Sequence, residues 1–185
     1  MAGAGLGLAG LLSYATASFL ARLGGDPRRF TGSRFLPDGG IPPATTFLGE
    51  PVPELDLAAW RLVVRGRVEQ PLTLSRVELE SFGLATDEPV LDCTSGWALR
   101  TIWRGVPLSR VLAAADLAPG ARQVVVRAAS GWTAEFSIEE ARGCLLATEV
   151  AGEPLPLGNG APCRLVAPER RGLDWVKWVS EIVVV

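Results

Sequence analysis

Leu91-Asp92-Cys93-Thr94-Ser95-Gly96-Trp97 carries one cysteine at the end of a short apolar run, Pro89-Val90-Leu91. A turn of small polar residues and glycine follows, then an indole. That pattern places one thiol at the tip of a strand, where the backbone bends away. A thiol held there ligates a soft metal or attacks an electrophile once its pKa is lowered. From the stretch alone it also reads as a half-buried cysteine acting as a small hydrophobe.

An answering segment lies near the C-terminus. Pro154-Leu155-Pro156-Leu157-Gly158-Asn159-Gly160-Ala161-Pro162 is dense in turn formers and leads into Cys163-Arg164-Leu165-Val166. Such a loop presents backbone N–H groups and one amide at a strand mouth. Arg164 adds a planar guanidinium fork suited to phosphate. Lys177, the chain's one lysine, follows between Trp175 and Trp178. Backbone donors, an arginine and a lysine together suit a flat, anionic, hydrogen-bonding cofactor. Without convergence they are ordinary surface charges beside a tryptophan-rich core.

The chain's 185 residues suffice for one domain with a full core. Its hydrophobic share of 48% and charged share of 21% are those of a globular protein. A net charge of −2 provides no nucleic-acid footprint. Histidine is absent, which excludes His-ligated zinc or haem, a Ser-His-Asp triad and any imidazole base. Cys93, Cys144 and Cys163 contain no CxxC pair, which argues against a zinc knuckle or a thioredoxin-like motif.

Residues 1–22 form an apolar, Ala/Gly/Leu-rich segment without charge before Arg22, of weak hydrophobicity: a candidate membrane anchor, the remnant of one or part of a signal sequence. Residues 23–54 read as an extended arm with apolar anchors at Phe30, Phe35, Leu36, Phe47 and Leu48. Residues 55–185 read as the body. Alternation around Leu62 and Val64, and around Ala134 and Phe136, predicts half-buried strands. Pro71–Leu74, Arg100–Trp103, Gln123–Arg127, Leu145–Val150, Cys163–Ala167, Trp175–Val179 and Ile182–Val185 complete the expected strands. Ser75 with Glu78 and Ser137 with Glu140 have capping-box spacing, which predicts two short helices. Pro107 opens a third, with Leu108, Val111, Leu112 and Ala115 on one face. The fold class is α+β: a compact, mixed, strand-rich domain preceded by an apolar segment and an arm.

Cys93-Thr94-Ser95-Gly96-Trp97, Trp103-Arg104-Gly105-Val106-Pro107-Leu108, Gly152-Glu153-Pro154-Leu155-Pro156, Asn159-Gly160-Ala161-Pro162 with Arg164, and Trp175-Val176-Lys177-Trp178 occur together. In order and approximate spacing this set resembles the sulfite-oxidase-type molybdopterin-binding domain, from about Leu55 to the end. Each piece is weak alone and the combination is specific. Within it, the set most resembles the branch containing the catalytic subunit of the periplasmic methionine-sulfoxide reductase, which has the same Trp after the Cys and the Asn-Gly-Ala-Pro-x-Arg loop.

The resemblance implies a molybdenum–molybdopterin cofactor, a pterin dithiolene on the metal, with Cys93 as the protein's thiolate ligand and catalytic residue. It implies that Asn159, Arg164 and Lys177 hold the pterin and its phosphate, with Trp175 and Val176 alongside. Thr45 and Thr46 fall where the branch places further cofactor contacts, although the branch favours asparagine there. Ala128 also departs, from a cofactor-contacting threonine. Sulfite-oxidising relatives carry arginines just after the metal cysteine and a tyrosine near the metal; here Trp97 and Ala98 stand there, and the one tyrosine is Tyr14. Arg100 or Arg104 could substitute, and Trp97 and Trp103 read also as core packing. An aromatic wall suits a neutral small substrate such as a sulfoxide. The implied activity is oxygen-atom transfer, with S-oxide reduction ahead of sulfite oxidation or a cofactor-binding module without catalysis. The expected setting is a monomer without further dimerisation or haem domains, membrane-associated or extracytoplasmic, receiving electrons from a membrane partner and binding no nucleic acid.

Overall fold

The computed structural model describes residues 28–46 and 49–185. The candidate anchor, residues 1–22, and the anchors Phe47 and Leu48 lie outside the described residues. No helix among the described residues is long and apolar enough to cross a membrane.

Three sheets carry the fold. The first is β3-β2-β13-β8-β9, comprising β2 (Leu62–Gly66), β3 (Leu72–Leu74), β8 (Gln123–Ala128), β9 (Thr133–Ser137) and β13 (Val179–Val184). Its alternation is visible in burial: Leu62 and Val64 are buried in β2, and Ala134 and Phe136 in β9, while Thr133 and Glu135 face solvent. The second sheet is β11-β10-β7-β4, with β4 (Ala85–Asp87), β7 (Trp103–Pro107), β10 (Leu145–Val150) and β11 (Glu153–Pro154), and β12 (Arg164–Val166) also pairs with β10. β10 is the near-continuously buried strand at its centre, and its register sets Ala147 opposite Arg164. The third is a hairpin of β5 (Val90–Cys93) and β6 (Trp97–Arg100), to which β1 (Arg34–Phe35) adds in parallel.

Both capping boxes form. Ser75 caps α1 (Arg76–Glu80) and Ser137 caps α3 (Ile138–Arg142). α2 (Leu108–Ala115) buries the predicted face, Leu108, Val111, Leu112 and Ala115. Pro107 sits one position earlier than expected, as the last residue of β7 and the cap of α2.

Two predicted strands are corrected. Arg100–Trp103 straddles a break, since β6 ends at Arg100 and β7 begins at Trp103, with Thr101 buried and Ile102 exposed between them. Trp175–Trp178 is not a strand, and only Val179 of the predicted Trp175–Val179 is extended, as the first residue of β13. The run follows a 3₁₀ turn, Gly172–Asp174, and Trp178 has φ of 49°. Trp178 donates its backbone N–H to Gly160 O at 3.1 Å and Nε1–H to Leu157 O at 2.7 Å. These bonds to the 157–160 loop override the strand propensity of the tryptophan–valine run.

Trp103, Trp175 and Trp178 are among the largest fully buried side chains. Trp103 and Trp175 meet edge to face with centroids 5.7 Å apart, a geometry that adds about 1 kcal/mol beyond area burial. The pair ties β7 to the segment after the 3₁₀ turn. Gly105 lets β7 approach β10: a Cβ there would lie 2.1 Å from Leu146 O and 2.5 Å from Ala147 Cα. Gly105→Ala therefore forces the two central strands apart and lowers unfolding stability by about 2–3 kcal/mol, read from the urea midpoint at unchanged m-value.

Candidate functional site

Cys93 closes β5, and the turn Thr94-Ser95-Gly96 leads into β6 through Gly96 at φ 89°. Its Sγ accepts the Ser95 N–H at 3.5 Å and lies 3.5 Å from Thr45 Oγ1. Gly172 presses on the same hairpin, since a Cβ there would meet Asp92 O at 3.2 Å and Cys93 Cα at 3.3 Å. Cys93 is half-buried, whereas Cys144 and Cys163 are buried. Burial, then Glu140, pushes the Cys144 thiol up to about 12, and burial pushes Cys163 well above the ordinary thiol range. Cys93 is thus the thiol that chemistry can reach.

The opposite wall is cationic. Arg164 on β12 is 4% exposed. Its Nη1 donates to Asn159 O at 3.0 Å, and its guanidinium stacks over Trp103 at 5.3 Å. Nε is buried without a hydrogen-bond partner. Burial lowers its pKa to about 10, partly offset by Cys93, so it is still a cation at neutral pH. Lys177 Nζ donates to Thr45 O and Gly158 O, each at 2.7 Å, and lies 5.3 Å from the Trp178 ring. Burial and the Arg164 charge lower its pKa to about 8, against Glu50 and Cys93, which raise it. Gly160, at φ 113°, lets both segments pack on the loop: a Cβ there would lie 3.0 Å from Lys177 Cα and 3.2 Å from Arg164 Cβ.

Between these walls is a cleft of about 590 Å³, part of it open to solvent. Thr45, Thr46, Cys93, Arg164, Trp175, Val176 and Lys177 all line it, so residues from the arm, the hairpin and the C-terminal segment converge. Asn159 does not line it. Its side chain is buried and Nδ2 donates to Pro42 O at 2.8 Å, which pins the arm. Trp175 donates its backbone N–H to Gly172 O at 3.3 Å, and Val176 donates to Asp174 O at 3.0 Å and accepts from Leu165 at 2.8 Å. What these two give the cleft is mainly shape. Trp97 lines it, its Nε1–H buried without a hydrogen-bond partner and so not exposed to the cleft, whereas Trp103 is core beneath Arg164. Arg100 and Arg104 do not line it, and Arg104 pairs with Glu149 at 2.7 Å. Ala128 is core.

Three residues gained importance only in three dimensions. Glu50 and Trp132 line the cleft; Glu50 is bonded to Ser130, and Trp132 Nε1 donates to Leu173 O at 3.1 Å. Asp92 is buried beside Cys93. Burial raises its carboxyl pKa, and hydrogen bonds from Ser33 and Thr31 with the charges of Arg171 and Arg29 outweigh this, leaving it below the ordinary range. A carboxylate before the cysteine was the one sequence signal for it.

Residues 49–185 match the family model of the oxidoreductase molybdopterin-binding domain. The chain belongs to this family. It is 37% identical over 147 residues to the protein-methionine-sulfoxide reductase catalytic subunit MsrP of Xanthomonas axonopodis, covering 69% of this chain and 45% of that protein. It is 31% identical over 130 residues to YuiH of Bacillus subtilis, an uncharacterized oxidoreductase, covering 69% of this chain and 66% of that protein. The chain spans about half the length of the methionine-sulfoxide reductase subunits it matches. Its fold is similar to the sulfane dehydrogenase SoxCD of Paracoccus pantotrophus, with a TM-score of 0.68 and 28% identity over 72% of this chain and 40% of that one. The strand-rich α+β body is therefore of the sulfite-oxidase type.

The cleft's electrostatics give a stability test. Folding lowers Lys177 from 10.5 to about 8. Between those values the unfolded chain holds a proton the folded protein has released, so this group makes stability rise with pH across that window. Below it, the folded protein bears the full cost of the buried cation. In cofactor-free protein, denaturant titrations of wild type and Lys177→Met should differ by an amount that is flat below about pH 7 and shifts in favour of wild type from about pH 8 to 10.5.

Proposed function

We propose that the cleft holds a molybdenum–molybdopterin cofactor through Cys93 and that the protein transfers an oxygen atom from a small sulfoxide, reducing it. The observation that carries this reading is that one cleft is lined both by the reachable thiol and by a buried guanidinium with an unpartnered N–H. An orphaned donor on a buried cation costs free energy until an anion accepts from it. The residues fit the group. Among the described residues, no three or more His, Cys, Asp or Glu side chains converge as a metal site. A metal held by Cys93 therefore arrives already ligated, as a dithiolene complex does.

When bound, the cofactor supplies the two-electron chemistry that takes up an oxygen atom. The protein supplies placement and charge. Cys93 binds as thiolate and gives up its proton on binding. Arg164 and Lys177 hold the pterin phosphate by charge-assisted hydrogen bonds. Thr45 and Thr46 close the arm side, Trp175 and Val176 shape the floor, and Asn159 acts through the arm it pins. Trp97 and Trp132 give the substrate face an aromatic wall, which suits a neutral small molecule such as a sulfoxide. Sulfite would need cations beyond those the cofactor occupies.

The reading divides the chain into the apolar segment 1–22, the arm 23–54 and the catalytic domain 55–185. It makes the protein a monomer, membrane-associated or extracytoplasmic, with a membrane protein as electron donor. The support is the branch resemblance and the apolar segment.

Protein purified from a molybdenum-replete host should contain molybdenum and pterin, and should reduce methionine sulfoxide or dimethyl sulfoxide with a reduced dye as donor. Folded protein free of both sinks the reading. Retention of both with no turnover of sulfoxide or sulfite points to a module without catalysis. Cys93→Ser should lower molybdenum content at least about tenfold, and Arg164→Met should lower pterin content similarly, both measured against folded protein.

A further inference from the structure

We propose that Asp92 is a positioning residue that clasps the arm, residues 28–46, to the strand carrying Cys93, and so sets how far the Cys93 thiol is covered. Neighbouring side chains on a strand point to opposite faces. Cys93 lines the cleft, whereas Asp92 is 4% exposed on the other side of β5. There it gathers two separate parts of the chain. From the arm, Thr31 donates to Oδ2 and Ser33 to Oδ1, both at 2.7 Å, and Arg29 pairs at 3.2 Å. From the turn before Trp175, Arg171 pairs at 3.4 Å.

The arm then runs across the hairpin. Arg34 donates to Gly96 O, Leu36 to Ala98 O and Gly39 to Arg100 O at 2.8–2.9 Å. It returns over the cleft, where Asn159 holds Pro42 and Lys177 holds Thr45, and it ends with Thr45 Oγ1 against the Cys93 sulfur. The hairpin is thus enclosed: Asp92 fastens one end of the strap on one face, and the other end covers the thiol on the opposite face. The groups facing Asp92 are those four residues, two hydroxyls and two guanidiniums. Removing its charge leaves Arg29 and Arg171 without their shared counter-ion and both hydroxyls without a charged acceptor.

The clasp itself is independent of what the cleft binds. Its consequence for cofactor retention rests on the function proposed above. The test uses the full chain without cofactor: the alkylation rate of Cys93 by iodoacetamide, located by peptide mass, together with hydrogen exchange along residues 28–46. Cys144 and Cys163 are buried and serve as internal references. D92N, close to isosteric, should speed alkylation of Cys93 about tenfold or more and raise exchange in the arm, with β8 and β13 unchanged. R29M and R171M, at partly exposed arginines, keep the proposal falsifiable if D92N fails to fold, and each should give a smaller increase of about twofold to fivefold. R104M, which breaks the exposed Arg104–Glu149 pair, should leave the Cys93 rate unchanged.

Alkylation and arm exchange within about twofold of wild type in D92N overturn the proposal. So does D92N exchange that rises equally throughout the body while R29M and R171M change nothing. In loaded protein, D92N should lose molybdenum faster than wild type on dialysis. Wild type that never binds molybdenum removes the proposed function, while the alkylation result still decides the clasp.

Discussion

A guanidinium buried in the interior constrains everything around it. Arg164 is fully within the fold, stacked on Trp103 and bonded to Asn159 O, yet its Nε–H has no partner. A charge removed from water without complete compensation is costly, and a second cation close by raises that cost. Lys177 is that second cation, and burial together with the Arg164 charge lowers its pKa. Two cations gathered at a half-enclosed cleft work against stability in the cofactor-free protein. They are intelligible as a binding surface for an anion, since its charge would relieve both at once.

The fold is arranged to hold that surface against one sulfur. β10 fixes β12 by pairing, which sets the Arg164 position, and β7 brings Trp103 beneath it. Gly160 permits the loop and the Lys177 segment to touch, and Gly172 permits the 3₁₀ turn to sit against the Cys93 hairpin. The arm completes the enclosure through bonds to Asp92, Asn159 and Lys177. The cleft is therefore a product of packing between distant segments.

Much of this was legible in the sequence where local chemistry decides. Ser75 and Ser137 announce their helices because a hydroxyl and a carboxylate at that spacing satisfy orphan backbone donors. The face of α2 and the alternation of β9 follow from period alone. Cys93, Arg164 and Lys177 were recognisable as chemistry-bearing types, and the structure brings them to one cleft. What was not legible depends on partners far away in the chain. Trp175–Val179 looks like a strand until the 157–160 loop takes its hydrogen bonds. Asn159 looks like a ligand-facing amide until Pro42 accepts from it. Asp92 is one acidic residue among many until the arm folds over it. Its pairing with residues 59 and 61 positions away leaves no local trace.

The central claim is that the Cys93 sulfur binds a metal in a cleft whose other wall is Arg164 and Lys177. X-ray absorption at the molybdenum edge of the loaded protein tests it most directly, because it counts sulfur ligands. The account predicts one more sulfur than the dithiolene supplies in wild type, and the loss of that one sulfur in whatever residual metal Cys93→Ser retains. An identical number of sulfur ligands per molybdenum in the two proteins would contradict it.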